Sequence, residues 1–85
     1  MTTYLTINDF KKVKTGAFYY YSFYFEGKEL TLEPCNNGFD ISLYDLDGVS
    51  LRPKQCLNVP DNEVLDFWKN LEQAVEVANQ IYQEV

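Results

Sequence analysis

Three sets of residues in this chain have types and spacings that could do chemistry: two cysteines, a scatter of close carboxylates, and a dense aromatic run. The thiols come first. Cys35 and Cys56 are the only cysteines and there is no histidine. A nucleophilic thiol needs a base or a cation to hold it as thiolate, and these two have neither a His partner nor CxxC spacing. Two thiolates without His cannot complete the four ligands of a structural zinc site. The carboxylates do little better. Asp45-x-Asp47-Gly48 has the start of a calcium loop, but Lys54 stands where a bidentate Glu should close it. The lack of His also removes the commonest general base, and the four glycines fall singly rather than in a phosphate loop. Catalysis, a cofactor and a metal are therefore not expected.

The aromatic run carries the clearest signal. Seven of the eight residues from Phe18 to Phe25 are Phe or Tyr. Flat side chains suit a pleated surface, so Ala17–Glu33 reads as strand, tight turn at Glu26–Glu29, and strand. With Gly27-Lys28 as the loop, Phe25 faces Leu30 and Phe23 faces Leu32. Alternation then puts Tyr19, Tyr21, Phe23 and Phe25 on one face. Phe18, Tyr20, Ser22 and Tyr24 fall on the other, with Thr31 and Glu33. The first face is a core; the second is a row of aromatics needing a reason.

The remaining elements must position that row. Thr6 and Asp9 have the spacing of a capping box, and Ile7, Phe10 and Val13 sit at helical intervals before Thr15-Gly16. This predicts a short helix over 7–14. The rival is a strand from Phe10 to Lys14 that turns at Thr15-Gly16 into the aromatic strand. Lys11, Lys12 and Lys14 read as a solvated face rather than a phosphate patch. Pro34 to Gly38 is punctuation, since Pro cannot donate to a ladder and Asn-Gly favours turns. Phe39, Ile41 and Leu43 alternate with Asp40, Ser42 and Tyr44, as in a half-buried strand. A three-residue loop, Leu46 to Gly48, aligns Leu43 with Leu51 and predicts a fourth strand with Val49 and Leu51 in the core. Residues 52–60 read as a connector in which Leu57 and Val59 tuck under the sheet.

The C-terminal third predicts one helix over 62–84. Pro60, Asp61, Asn62 and Glu63 suit its start. Val64, Trp68, Leu71, Val75, Ala78, Tyr82 and Val85 form an apolar stripe, widened by Phe67, Ala74 and Ile81. The opposite face shows Asp66, Asn70, Gln73, Glu76, Gln80 and Glu84. The predicted fold is a single α+β domain over 1–85. A four-stranded, mainly antiparallel sheet in two hairpins carries the long helix on one face, with a short helix or strand leading in. One helix and one sheet give the two layers that a small domain needs.

Charge narrows the partners. The chain carries net charge −6. Residues 1–28 hold four lysines against two acids, and residues 29–85 hold three basic residues against eleven acids. Such a surface repels nucleic-acid phosphates and favours basic partners; it also aids solubility. No apolar run approaches the roughly 20 residues that span a bilayer. The N-terminus lacks a basic start and an apolar stretch, so the expectation is a cytoplasmic chain (host cytoplasm if phage-encoded) with free thiols.

Two binding readings follow. In one, the protein is an inhibitor or adaptor that docks on a basic protein surface, a nucleic-acid-binding enzyme being a natural target. Phe18, Tyr20, Tyr24 and Tyr44 would be anchors, and Glu72, Glu76 and Glu84 would steer. In size, charge and composition the chain is similar to phage-borne decoy and anti-defence proteins, such as anti-CRISPR, anti-restriction and nucleic-acid-mimic proteins. No motif carries that likeness. In the other reading, the aromatic face stacks single-stranded nucleic acid. A third reading is structural: two such faces, or two sheet edges, close a homodimer.

Overall fold

A computed structural model describes residues 4–35, 38–58 and 67–85, with side chains from residue 70 onward in the last stretch. The chain is α+β. Five strands form one antiparallel meander in sequence order: β1 (Lys11–Thr15), β2 (Phe18–Phe25), β3 (Lys28–Cys35), β4 (Gly38–Asp45) and β5 (Gln55–Asn58). The C-terminal helix α1 (Phe67–Glu84) packs on β3 and β4.

The expected helix over 7–14 is replaced by its rival. One 3₁₀ turn, Ile7–Asp9, opens the chain, and Phe10 already has extended backbone. The expected box forms in part: the Thr6 amide donates to Asp9 Oδ2 at 2.8 Å. Strand β1 then pairs with β2 over five positions, from Lys11↔Ser22 to Thr15↔Phe18. A helix here would have left the aromatic strand with an open edge; a lysine-rich edge strand closes it and resists further pairing. Phe10 is buried, its ring 5.8 Å from that of Phe23.

The β2–β3 register differs from the expected one. The loop is Glu26-Gly27, because Phe25 pairs with Lys28, Phe23 with Leu30 and Tyr21 with Leu32. Both loop residues have positive φ, 46° and 74°, as a two-residue loop matching the strand twist requires. The slip is two residues, one full side-chain period, so every residue keeps its expected face. Pro34 stays within β3, opposite Phe39. It lies past the last β2 pair, where no neighbour needs its missing N–H.

The expected fourth strand is the larger correction. The three-residue loop forms as anticipated: Asp45 N donates to Val49 O, and Leu51 N to Leu43 O at 2.8 Å. Yet Val49 and Leu51 are 58% and 44% exposed and lie outside the core. After a single bridge, Tyr44↔Ser50, the chain leaves the sheet and returns as β5 within the expected connector. Leu57, opposite Phe39, packs against the core in their place. Gly38 permits this: a Cβ there would collide with the Leu57 carbonyl.

The helix ends at Glu84 as expected. Its predicted start, with Pro60 to Val64 and Asp66, lies outside the described residues, as do Val59 and the side chains of Phe67 and Trp68. Leu71, Ala74, Val75, Ala78 and Ile81 are buried against Leu30, Leu32, Phe39, Ile41 and Leu43. Tyr82 meets Phe23 and Phe25 edge-on at 5.8 and 4.9 Å. Asn70, assigned from sequence to the solvent face, is buried. Asn79 ties the N-terminal segment to α1: its Oδ1 accepts from the Leu5 amide at 2.6 Å and its Nδ2 donates to the Leu5 carbonyl at 2.8 Å. A side-chain amide here replaces a ladder partner for a strand-like backbone.

Candidate binding face

The helix covers one face of the sheet, and no described element covers the other. Cross-strand pairing arranges the open face in rows. Tyr24, Glu29 and Tyr44 form one row; Ser22, Thr31 and Ser42 form the next; Glu33, Asp40 and Cys56 form a third. Tyr20 sits beside Val13 on the same face, and Phe18 beside Thr15. Phe18 and Tyr24 are 76% and 62% exposed. Tyr20 and Tyr44 are half-buried.

Ser22, Thr31 and Ser42 are buried although no described element lies over them. Serine and threonine are short, and the tyrosines and glutamates on either side overhang them. The result is a trough with a hydroxyl floor. Its best-formed part is a pocket of about 180 Å³ lined by Tyr20, Glu29, Thr31, Glu33 and Tyr44. Ser22 Oγ donates to Glu29 Oε2 at 2.7 Å and so fixes that carboxylate at the pocket's edge. Burial, and then the charge of Glu29, push the Tyr20 phenol above its ordinary range. Tyr20 is therefore a neutral ring at physiological pH.

The seven residues singled out from sequence fall into two separate sets. Phe18, Tyr20, Tyr24 and Tyr44 share the open sheet face. Glu72, Glu76 and Glu84 are exposed on α1, which lies on the opposite side of the sheet. Glu84 is moreover paired with Arg52 Nη1 at 3.0 Å. Glu76 and Glu84 line a groove of about 490 Å³ with Tyr4, Asn79, Gln80 and Gln83. Alternation already places Glu33 and Asp40 on the tyrosine face in the sequence, although neither was singled out as a site residue; Glu29, read there as part of the turn, is the member that the sequence reading missed.

The other chemical candidates are absorbed by the fold. Asp45 Oδ1 accepts from the amides of Asp47 and Val49, both at 2.9 Å, so it caps a turn. No group of acids and cysteines among the described residues is arranged to hold a metal. Cys35 and Cys56 are exposed and unlinked. They lie on β3 and β5 with β4 between, roughly 10 Å apart at the strand spacing, beyond the reach of a disulfide. A hydrogen bond to Asp40, reinforced by that carboxylate's charge, pushes the Cys56 thiol up, with Lys54 opposing. A thiol held protonated is a poor nucleophile.

No described helix is long and apolar enough to cross a membrane. Comparison with protein-family models, with curated proteins and with solved structures finds no match to this chain.

Proposed function

We propose that this chain is a small acidic protein-binding module, an inhibitor or adaptor of the anti-defence kind, that docks its open sheet face on a basic protein surface. The observation that supports this most is the company the tyrosines keep. Phe18, Tyr20, Tyr24 and Tyr44 stand with Glu29, Glu33 and Asp40 on a face that no described element covers. Aromatic anchors beside carboxylates combine hot-spot area with a sign of charge that selects cationic partners. Nucleic acid is disfavoured, because its phosphates would meet those carboxylates.

The test is a titration of tyrosine-ring-labelled protein with an arginine- and lysine-rich peptide, followed by NMR, beside light scattering of the free chain. The expected result is a monomer whose Tyr20, Tyr24 and Tyr44 ring signals move saturably. Movement confined to α1, a dimer closed through the tyrosine face, or micromolar binding of single-stranded oligonucleotide at physiological salt would each overturn the reading.

A further inference from the structure

We infer that the pocket between Tyr20, Glu29, Thr31, Glu33 and Tyr44 is a socket for a single arginine side chain of the basic partner. The inference rests on the docking reading above and adds to it a site and a chemical group. The volume, about 180 Å³, suits one side-chain head rather than a ligand of many rings. The walls and floor then decide which head.

Glu29 and Glu33 are four residues apart on one face of β3, about 13 Å at 3.3 Å per residue, with Thr31 between them. Both glutamates and Thr31 line the one pocket. Neither carboxylate is paired with a basic side chain of the described residues. Ser22 holds one oxygen of Glu29, and the residue lines the pocket. Thr31 is only 8% exposed, yet its hydroxyl has no hydrogen-bond partner among the described residues. Its oxygen still reaches solvent, so it can accept from a donor that enters the pocket.

Arginine answers each of these features. Its five N–H donors can serve more than one acceptor at once, and its flat cation packs on phenol rings such as Tyr20 and Tyr44. A lysine ammonium is a compact, strongly hydrated point charge without that planar fork of donors. An apolar side chain would strip water from two carboxylates and return no hydrogen bond. An anion is repelled by both.

The probes are blocked single amino acids: N-acetyl-arginine methylamide, its lysine counterpart, and its citrulline counterpart, which has the same shape without charge. Each is titrated into uniformly ¹⁵N-labelled protein with labelled tyrosine rings. The expected result is saturable movement of the Thr31 amide and the Tyr20 and Tyr44 rings. Arginine should bind about tenfold more tightly than citrulline, the scale of a charge-assisted contact between aromatic walls. The Glu29→Gln/Glu33→Gln double variant should lose that preference while keeping its spectrum elsewhere, because a side-chain amide oxygen at position 29 can still accept from Ser22. Equal binding of citrulline and arginine, tighter binding of lysine, or an undiminished preference in the double variant would overturn the socket. If the basic peptide still docks on the tyrosine face in those cases, the broader reading survives. If neither peptide nor arginine moves that face, both fall.

Discussion

Asn79 illustrates how much one side chain can hold. Its amide satisfies both the N–H and the carbonyl of Leu5, a buried residue at the far end of the chain. Asn79→Ala removes both bonds at once and leaves backbone groups without partners. The expected cost is about 1–3 kcal/mol, read as a lower melting temperature together with fast exchange of the Leu5 amide. An unchanged Leu5 exchange rate would show that other contacts anchor the N-terminal segment. Cys56 gives a second expectation. Asp40 holds its proton, so Asp40→Asn should raise the thiolate fraction and speed alkylation of Cys56. Denatured, unreduced protein should titrate two thiols; none would mean a disulfide. The tyrosines give a third. Burial raises Tyr20 and Tyr21, and for Tyr20 the charge of Glu29 adds to it. The folded state therefore keeps these protons to higher pH than the unfolded chain does. Their contribution to stability is complete below the ordinary tyrosine value of 10.0 and is lost as the pH climbs through the folded-state values. Melting temperature should fall above that pH, and Tyr20→Phe should make the fall shallower; an identical slope in the variant would refute the assignment.

Among the elements, β5 is the one that the alternation of apolar residues did not announce. Its four residues, QCLN, contain one apolar side chain besides a cysteine. Val49 and Leu51 look more like a strand, and they do make two backbone bonds to β4. They fail to become core because the chain turns out of the sheet before Pro53 and re-enters beside Ile41, where Gln55 begins β5. Val49→Ser with Leu51→Ser should therefore change stability by no more than about 0.5 kcal/mol, as exposed substitutions do. Ile41→Ala, beneath the helix, should cost about 2–5 kcal/mol. Gly38→Ala should behave like a core mutation, since it must push β5 off the sheet. Denaturant midpoints for the three variants decide the matter. A large loss from the serine pair would restore the four-stranded arrangement.

For the whole molecule, the consequence is that the acidic helix and the tyrosine face point away from each other. One partner surface cannot pack tightly on both. Steering by the helix is long-ranged and screened beyond about 8 Å at physiological ionic strength; anchoring by tyrosine is short-ranged. Against an arginine-rich peptide, Tyr20→Ala with Tyr24→Ala should raise the off-rate, because buried anchors set residence time. Glu72→Gln with Glu76→Gln should lower the on-rate, and the loss should shrink as salt rises. Glu84 belongs in neither set, since Arg52 already offsets its charge. Both variants should keep the wild-type melting temperature. An unfolded tyrosine variant would place that face inside a core.

Several features were legible in the residues alone. The dense aromatic strand, its alternation, the Ile41–Leu43 strand and the apolar stripe from Leu71 to Ile81 are local periodicities, and local periodicity is written in order along the chain. For the same reason the faces of β2 and β3 survived a two-residue error in register. What the tertiary structure decided concerns groups far apart in sequence. Strand β1 prevailed over a helix because β2 had an edge to be paired, and that demand is not visible in Lys11–Thr15 by itself. β5 depends on the space that Gly38 leaves, and Asn79 on the arrival of Leu5 from 74 residues away. The tyrosine trough likewise exists because three strands bring Ser22, Thr31 and Ser42 into one row. Short side chains become a floor only when their neighbours across the sheet are tall, and which residues are neighbours is a property of the fold.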